Sequence, residues 1–327
     1  MNRKPDISSW QNKNHGFTLI ELMIAMVLGI ILLGGVIGIF LANQETSRIN
    51  SQLSQLQTSA RVSFQLLSRD LRSASFSGCG NNPNVVNVTT AFNAAAAPWA
   101  TWNGGVLGYD TALPQIAGMT PFTGTDAIRL MYGTGDGVTV SGHDVASSTF
   151  TVNLSPAANG FVVGELALVC DASAKAALFE ITNIANAVPF QVRHLQGAAS
   201  NASGFLGLPL GSPTTFGLGA MVMPLESVAW FVAENQNNGK SLYRSIVVNG
   251  AEQADEIIDG VDNLQFEYEV LQGTAPPGVW MSANNVPATS WGLVISVRVV
   301  LTMENGTQMS DNLNTMNHMV ANRNRMQ

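Results

Sequence analysis

Charge is scarce in this 327-residue sequence: Asp, Glu, Lys and Arg make up 11% of it, against 46% hydrophobic residues. That is low for a cytosolic enzyme and fits a secreted or surface-packed protein. Basic residues are fewer than acidic ones, 15 against 22, which sets the net charge at −7. Removing residues 1–16 takes away Arg3, Lys4, Lys13 and Asp6, leaving 12 basic and 21 acidic residues, a balance of −9. Without clustered Lys and Arg the bulk of the chain lacks the phosphate contacts on which non-specific nucleic-acid binding depends. Histidine is limited to His15, His143, His194 and His318, none of them in a metal-ligand spacing such as H-E-x-x-H. There is no G-x-S-x-G elbow, Walker loop or dinucleotide fingerprint. A membrane-tethered enzyme therefore has no residues to support it, and no cofactor or metal is expected. Cysteine is limited to Cys79 and Cys170. Two thiols so far apart make no metal-binding spacing, and an even count in an exported chain reads as one disulfide.

What the chain does have is one long uncharged run. Residues 22–42 are 21 consecutive residues without a charge, enough to cross a ~30 Å hydrocarbon core as a helix. Glu21 stands at the head of this run, where a carboxylate calls for a partner. It lies four residues after Phe17, one helical turn, so a new N-terminus at Phe17 would set an amine beside it. The plainer alternative is a signal anchor whose Glu21 snorkels to the interface. Against it stand the abrupt polar-to-apolar step at Gly16 and the absence of an A-x-A site after the run. Residues 1–16 carry three basic residues and one acid, so they stay cytoplasmic and the C-terminal bulk goes to the periplasm. Gly34 and Gly38 form a G-x-x-x-G pair that admits a neighbouring helix or marks a place where this one loosens.

The stretch Gly16-Phe17-Thr18-Leu19-Ile20-Glu21-Leu22-Met23-Ile24-Ala25-Met26 resembles the class III signal of type IV pilins and type II secretion pseudopilins. The resemblance implies cleavage by a prepilin peptidase between Gly16 and Phe17, and N-methylation of Phe17. It further implies that Glu21 serves assembly by neutralising an amine in a bundle of like helices.

Beyond the run the helical period continues but turns amphipathic. Ile49, Leu53, Leu56, Ala60, Phe64, Leu67, Leu71 and Ala74 recur at steps of three and four, with no Pro or Gly before Gly78. The spacing predicts one helix over 17–77, its second half carrying an apolar stripe suited to a sheet. Residues 78–125 read as a long loop region with room for short strands. Short strand-like runs follow at 127–132, 138–140, 149–154, 165–170, 178–184 and 190–195. A second Gly/Ser/Pro-rich connection spans 196–219, and strands resume at 222–233 and 242–248. Alternation is clearest at Leu264, Phe266, Tyr268 and Val270, and at Ile295, Val297, Val299, Leu301 and Met303. Residues 304–327 lack periodicity and are expected to fray. Asp255, Glu256, Asp259 and Asp262 read as a solvated turn rather than a calcium loop, and Ser141-Gly142-His143-Asp144 as a hairpin turn. Trp99, Trp102 and Trp280 read equally as partner contacts or as buried anchors of long loops.

A second resemblance rests on Asp259-Gly260-Val261-Asp262-Asn263-Leu264-Gln265-Phe266-Glu267-Tyr268 and Val297-Arg298-Val299-Val300-Leu301. These look like the C-terminal half of PilW-family minor pilins, which are similar to the J-type minor pseudopilin of type II secretion. Taken together, the expected fold is α+β and type IV pilin-like, a long N-terminal helix packed on a mostly antiparallel sheet. The expected division is a leader at 1–16, a transmembrane and assembly helix at 17–42, its amphipathic half at 43–77 and a periplasmic head at 78–327. The function implied is a non-enzymatic minor pilin that primes a type IV pilus and sits at or near its tip. The alternatives are a minor pseudopilin of type II secretion and a tip adhesin whose loops at 80–125 and 196–220 bind a ligand. Expected partners are other minor pilins, the major pilin, prepilin peptidase, the inner membrane before assembly and a tip adhesin. The expected location is the bacterial inner membrane, single-pass with a periplasmic C-terminus, and then the extracellular fibre.

Overall fold

The computed structural model describes residues 18–78, 84–89, 98–110, 114–173, 175–197, 201–248, 250–273, 276–304 and 315–325. One helix, α1, runs Leu19–Ser73. The strands that follow begin with β1 (Asn84–Asn87), β2 (Val106–Tyr109), β3 (Ala127–Gly133), β4 (Val138–Asp144) and β5 (Thr149–Val152). Next come β6 (Leu166–Cys170), β7 (Lys175–Glu180), β8 (Asn183–Ala185), β9 (Phe190–Arg193), β10 (Met221–Glu234) and β11 (Lys240–Val248). The last are β12 (Ala251–Asp259), β13 (Val261–Val270), β14 (Val279–Met281), β15 (Val294–Met303) and β16 (Thr315–Ala321).

The chain divides into two compact units, residues up to Gln55 and residues from Leu56. In the first, every large apolar side chain from Leu19 to Leu41 is exposed, from 52% at Leu22 to 77% at Leu19. This stretch is apolar all round without being a core helix, which makes it a candidate membrane span. It is long and apolar enough to cross a bilayer.

In the second unit the apolar stripe of α1 is buried where its period predicts. Ala60, Leu67, Leu71 and Ala74 are inside and Phe64 is half-buried. Each large apolar side chain so buried contributes roughly 1.5–3 kcal/mol. The stripe joins one core with Ile128, Leu130 and Tyr132 of β3, and with Val228, Trp230 and Val232 of β10. The same core takes in Leu264, Phe266 and Tyr268 of β13 and Val297, Val299 and Leu301 of β15. The helix thus packs on two sheets rather than one. The larger has twelve strands and the smaller has the order β14-β13-β15-β16. Strand β10 organises the larger sheet. Its residues 221–224 pair antiparallel with β6 and its residues 225–234 with β3 and β11. The described pairs are antiparallel except β1 with β7, so the sheets are mostly antiparallel as the alternation implied. A second core lies away from the helix, with Val140, Phe150, Val169, Phe179 and Val192. Leu206 and Phe216, from the Gly/Pro-rich connection, plug it.

Several expectations are corrected. The helix ends at Ser73 rather than Ser77, because Ser75 takes a left-handed φ of 67° and its N–H donates to Met131 O instead of continuing the helix. The C-terminal region does not fray throughout. Its residues Thr315–Ala321 form β16 on β15, with Met316, His318 and Val320 alternating toward the interior. Asp255, Glu256 and Asp259 lie on the edge strand β12, not in a turn. Residues 141–144 belong to β4, and the turn comes after them. The loop region 78–125 does hold short strands, β1 and β2, as its reading allowed. The run expected at 178–184 is divided between β7 and β8.

Candidate functional site

Of the residues expected to act at the N-terminus, Gly16 and Phe17 lie outside the described residues. Glu21 sits in the first turn of α1. The Thr18 N–H and hydroxyl both donate to Glu21 Oε2 at 3.0 Å, and the Glu21 N–H donates to Thr18 Oγ1 at 3.4 Å. This is a capping box, T-x-x-E, which satisfies two otherwise orphaned donors at the helix start. Thr18-Leu19-Ile20-Glu21 displays that pattern plainly, yet the sequence reading gave Glu21 only an amine as partner. The box turns the carboxylate back toward the beginning of the helix. Downstream, the only anchoring chemistry that the run offers is its exposed apolar surface.

The amphipathic half of α1 is fixed by a charge that the sequence reading missed. Asp70 is 2% exposed although it lies on the apolar face, one turn from Leu67. Its Oδ2 accepts from Trp230 Nε1 at 2.9 Å and Arg244 Nε at 2.8 Å, and its Oδ1 from Tyr132 Oη at 3.1 Å and Arg244 Nη2 at 3.2 Å. Arg244 Nη2 also donates to Glu226 Oε1 at 3.0 Å. One helix carboxylate therefore binds β3, β10 and β11 together. An acid at a stripe position was the available signal, but its partners lie 62 to 174 residues away. The C-terminal tail closes the other end of the helix. Asn324 Nδ2 donates to the carbonyls of Arg72, Ser73 and Ala74 at 3.3, 3.3 and 2.8 Å, and Asn322 Nδ2 to Ser75 Oγ at 3.1 Å. These are the carbonyls that a helix leaves without partners at its end.

Cys170 ends β6 and is fully buried. Its Sγ lies against Gly78, where a Cβ would stand 3.1 Å from it. The partner expected for it, Cys79, follows Gly78 in sequence and lies outside the described residues. Three of the four acids near residue 260 are absorbed by local contacts. Ser241 Oγ donates to Glu256 Oε1, Asn235 Nδ2 to Asp259 Oδ1, and Lys240 Nζ pairs with Asp262, each at 2.7 Å. Trp99 is buried with Leu166, Leu168 and Leu178, and Trp102 is half-buried at the margin of that cluster. Trp280 is half-buried beneath the Arg298 guanidinium, 4.4 Å from its ring centre. These tryptophans serve as anchors of the fold.

His143 and His194 come together, Nε2 to Nε2 at 3.3 Å, inside a ring of Phe150, Phe179 and Phe216. The Phe216 N–H donates to His143 Nδ1 at 3.2 Å, so the His143 proton sits on Nε2 and points at His194. Burial pushes His143 down to about 4 and, with repulsion from His143, His194 down to about 3. Both rings are neutral at ordinary pH. Among the described residues, no three of His, Cys, Asp and Glu gather as a metal would require.

Residues 11–37 match the prokaryotic N-terminal methylation motif. With an exposed, membrane-length helix at the start of the chain and a mostly antiparallel sheet domain behind it, this supports a prepilin-type protein. Residues 229–325 match the type IV pilus-assembly protein W family. That segment holds Trp230, Arg244, β11 to β16 and the capping asparagines, the parts that hold the helix in the sheet domain. The two matches and the fold support a PilW-type minor pilin of the type IV pilus. Comparison with curated proteins gives no match.

Proposed function

We propose that this chain is a non-enzymatic minor pilin that primes assembly of a type IV pilus and is built in at or near its tip. The observation that carries the reading is the stretch from Leu19 to Leu41, whose large apolar side chains are all exposed. Such a surface needs an apolar surrounding outside its own unit: the inner membrane before assembly, a bundle of like helices afterwards. Prepilin peptidase removes residues 1–16 by cutting between Gly16 and Phe17 and methylates the new amine of Phe17. The Glu21 carboxylate, held toward the helix start by Thr18, neutralises that amine or one on a neighbouring subunit as the helix enters the fibre. The periplasmic head then meets other minor pilins, the major pilin and a tip adhesin. Cys170 pairs with Cys79 and ties the end of the helix region to β6. The match over 229–325 favours the pilus over type II secretion as the client.

The capping box allows the charge of Glu21 to be tested apart from its structural role. Glu21→Gln keeps an oxygen that accepts from Thr18 but removes the negative charge, whereas Glu21→Ala removes both. Processed protein is compared in membranes and in sheared fibres for each variant. Both variants are expected to be cleaved and inserted normally and to be nearly absent from fibres, with Glu21→Asp intermediate. Normal incorporation of Glu21→Gln refutes the charge mechanism.

A further inference from the structure

Strand β16 ends the smaller sheet on one side, pairing with β15 and with no other described strand. The Asn322 N–H donates to Ile295 O, which makes these two residues a hydrogen-bonded pair. Back along the unbroken register, Met316, His318 and Val320 therefore bond β15, and the N–H and C=O groups of Asn317 and Met319 point to the open edge. Among the described residues neither backbone meets a partner there. A sheet edge is normally blunted by charge, proline, a bulge or shortness. Strand β12, an edge of the larger sheet, carries Glu252, Asp255, Glu256 and Asp259 and a register shift against β11. The edge strands β1, β2, β8 and β14 are only four, four, three and three residues long. Strand β16 has seven residues without a charge, a proline or a bulge, and its Met319 side chain is 62% exposed. An edge left in that state is a pairing surface.

Beside this edge lies an open groove of about 500 Å³ between β16 and the flank of α1. Its walls include Gln57, Arg61, Phe64 and Arg72 from the helix and Met316 and His318 from the strand. The rings of Phe64 and His318 stand 5.4 Å apart and join the two walls. Arg61 and Arg72 are exposed, and neither guanidinium forms an ion pair among the described residues. Among the described residues no carboxylate lines the groove, although acids outnumber bases 22 to 15 in the whole chain. Ser68 lines it too; it is 4% exposed, and its hydroxyl has no hydrogen-bond partner among the described residues. A positive, partly apolar groove thus runs alongside an unblunted strand edge.

We propose that β16 and this groove receive an extended, acidic segment of another protein, added as a further strand of the smaller sheet. The backbone of the segment bonds Asn317 and Met319, which supplies affinity, and its inward side chains enter the groove, which supplies specificity. Arg61 and Arg72 stand ~16 Å apart along the helix axis at about 1.5 Å per residue. Acids four residues apart in an extended chain span ~13 Å, a difference that two long guanidinium side chains take up. The residue midway between the acids faces the same way and is apolar, because it meets Phe64 and Met316. The edge lies apart from the N-terminal site on which the pilus reading rests, so either can fail alone.

The test uses the full chain in mild detergent and a fluorescein-labelled peptide of about ten residues that alternates Thr and Val, with Glu at two Val positions four residues apart. Fluorescence anisotropy is expected to show saturable binding. Replacing both Glu by Lys, or methylating the backbone nitrogens of the peptide, is expected to weaken it at least tenfold. Arg61→Gln combined with Arg72→Gln is expected to do the same with unchanged circular dichroism. Met319→Pro removes an edge N–H without removing a bond to β15 and is expected to abolish binding. Lys175→Gln, on β7, is expected to leave binding unchanged. If Met319→Pro unfolds, the methylated peptide on the parent chain decides whether the edge is used. Absence of saturable binding, equal binding of the methylated or the Lys peptide, or equal binding by the double arginine variant overturns the proposal. So does sedimentation of the peptide-free chain as a dimer that Met319→Pro dissociates, because a second copy then occupies the edge.

Discussion

Replacing Asp70 is the most demanding perturbation of the head, because one carboxylate satisfies three side chains. Asp70→Leu fits the apolar stripe and removes no backbone hydrogen bond, so its cost isolates the polar cluster. The Trp230 N–H, on a residue fully out of water, and the Tyr132 hydroxyl, on one 7% exposed, both lose their acceptor. Each orphaned buried donor costs about 1–3 kcal/mol. Breaking a buried ion pair by removing one partner costs about 3–5 kcal/mol, but the Arg244 side chain is 23% exposed and keeps Glu226. Water and Glu226 compensate part of its loss, so the total is expected at about 4 kcal/mol, not the sum of the maxima. Against the 5–15 kcal/mol that usually holds a fold, about 4 kcal/mol is severe. Asp70→Asn keeps an acceptor oxygen and is expected to cost about 2 kcal/mol. The assay is urea unfolding of the chain in mild detergent, followed by tryptophan fluorescence and far-ultraviolet circular dichroism. Arg244→Met added to Asp70→Leu is expected to recover at least ~1 kcal/mol, because the stranded cation is gone. The reasoning fails if Asp70→Leu unfolds within ~0.5 kcal/mol of the parent chain, the scatter of ordinary surface changes.

The histidine pair sets a pH dependence. Both rings titrate below the ordinary 6.5, so the unfolded chain binds their protons first. The stability they confer is whole above about pH 6.5 and is lost on acidification toward about 4, at up to ~1.4 kcal/mol per pH unit for each ring. His194→Phe is expected to flatten that slope in urea midpoints taken from pH 4 to 8; an unchanged slope contradicts the assignment. For the cysteines, non-reducing peptide mapping is expected to yield a Cys79–Cys170 peptide. Reduction should cost about 4 kcal/mol for a closed loop of ~90 residues, and finding both thiols free in periplasm-exposed protein contradicts the pairing.

The parts of this fold that were legible are those where one face of an element is buried along its whole length. The stripe Ala60, Leu67, Leu71 and Ala74 and the alternation in β13 and β15 are such cases, because burial on one face writes its period into the sequence. Strand β12 escaped because an edge strand with polar side chains on both faces, Glu252 to Asp259, leaves no apolar period to read. Strand β16 carries only Met316, His318 and Val320 as its inner residues, too short a signal to stand out from a polar tail. The capping box at Thr18 and Glu21 was fully written in the sequence and was passed over in favour of the amine. The Asp70 cluster and the His143–His194 pair were not readable in that way. Their members are remote in sequence and are brought together by strand pairing, β4 and β9 on either side of β5 in the case of the histidines.

The central claim is that the chain serves a pilus as a processed minor subunit. The most direct measurement is a clean in-frame deletion scored side by side for surface pili and for exoenzyme secretion. Sheared fibres from the parent strain are searched by mass spectrometry for the chain. Loss of pili with secretion intact, and a small amount of mature chain in the fibres beginning at methylated Phe17, is the expected result. Intact pili with secretion abolished, or a chain retaining Met1 and absent from fibres, would contradict it.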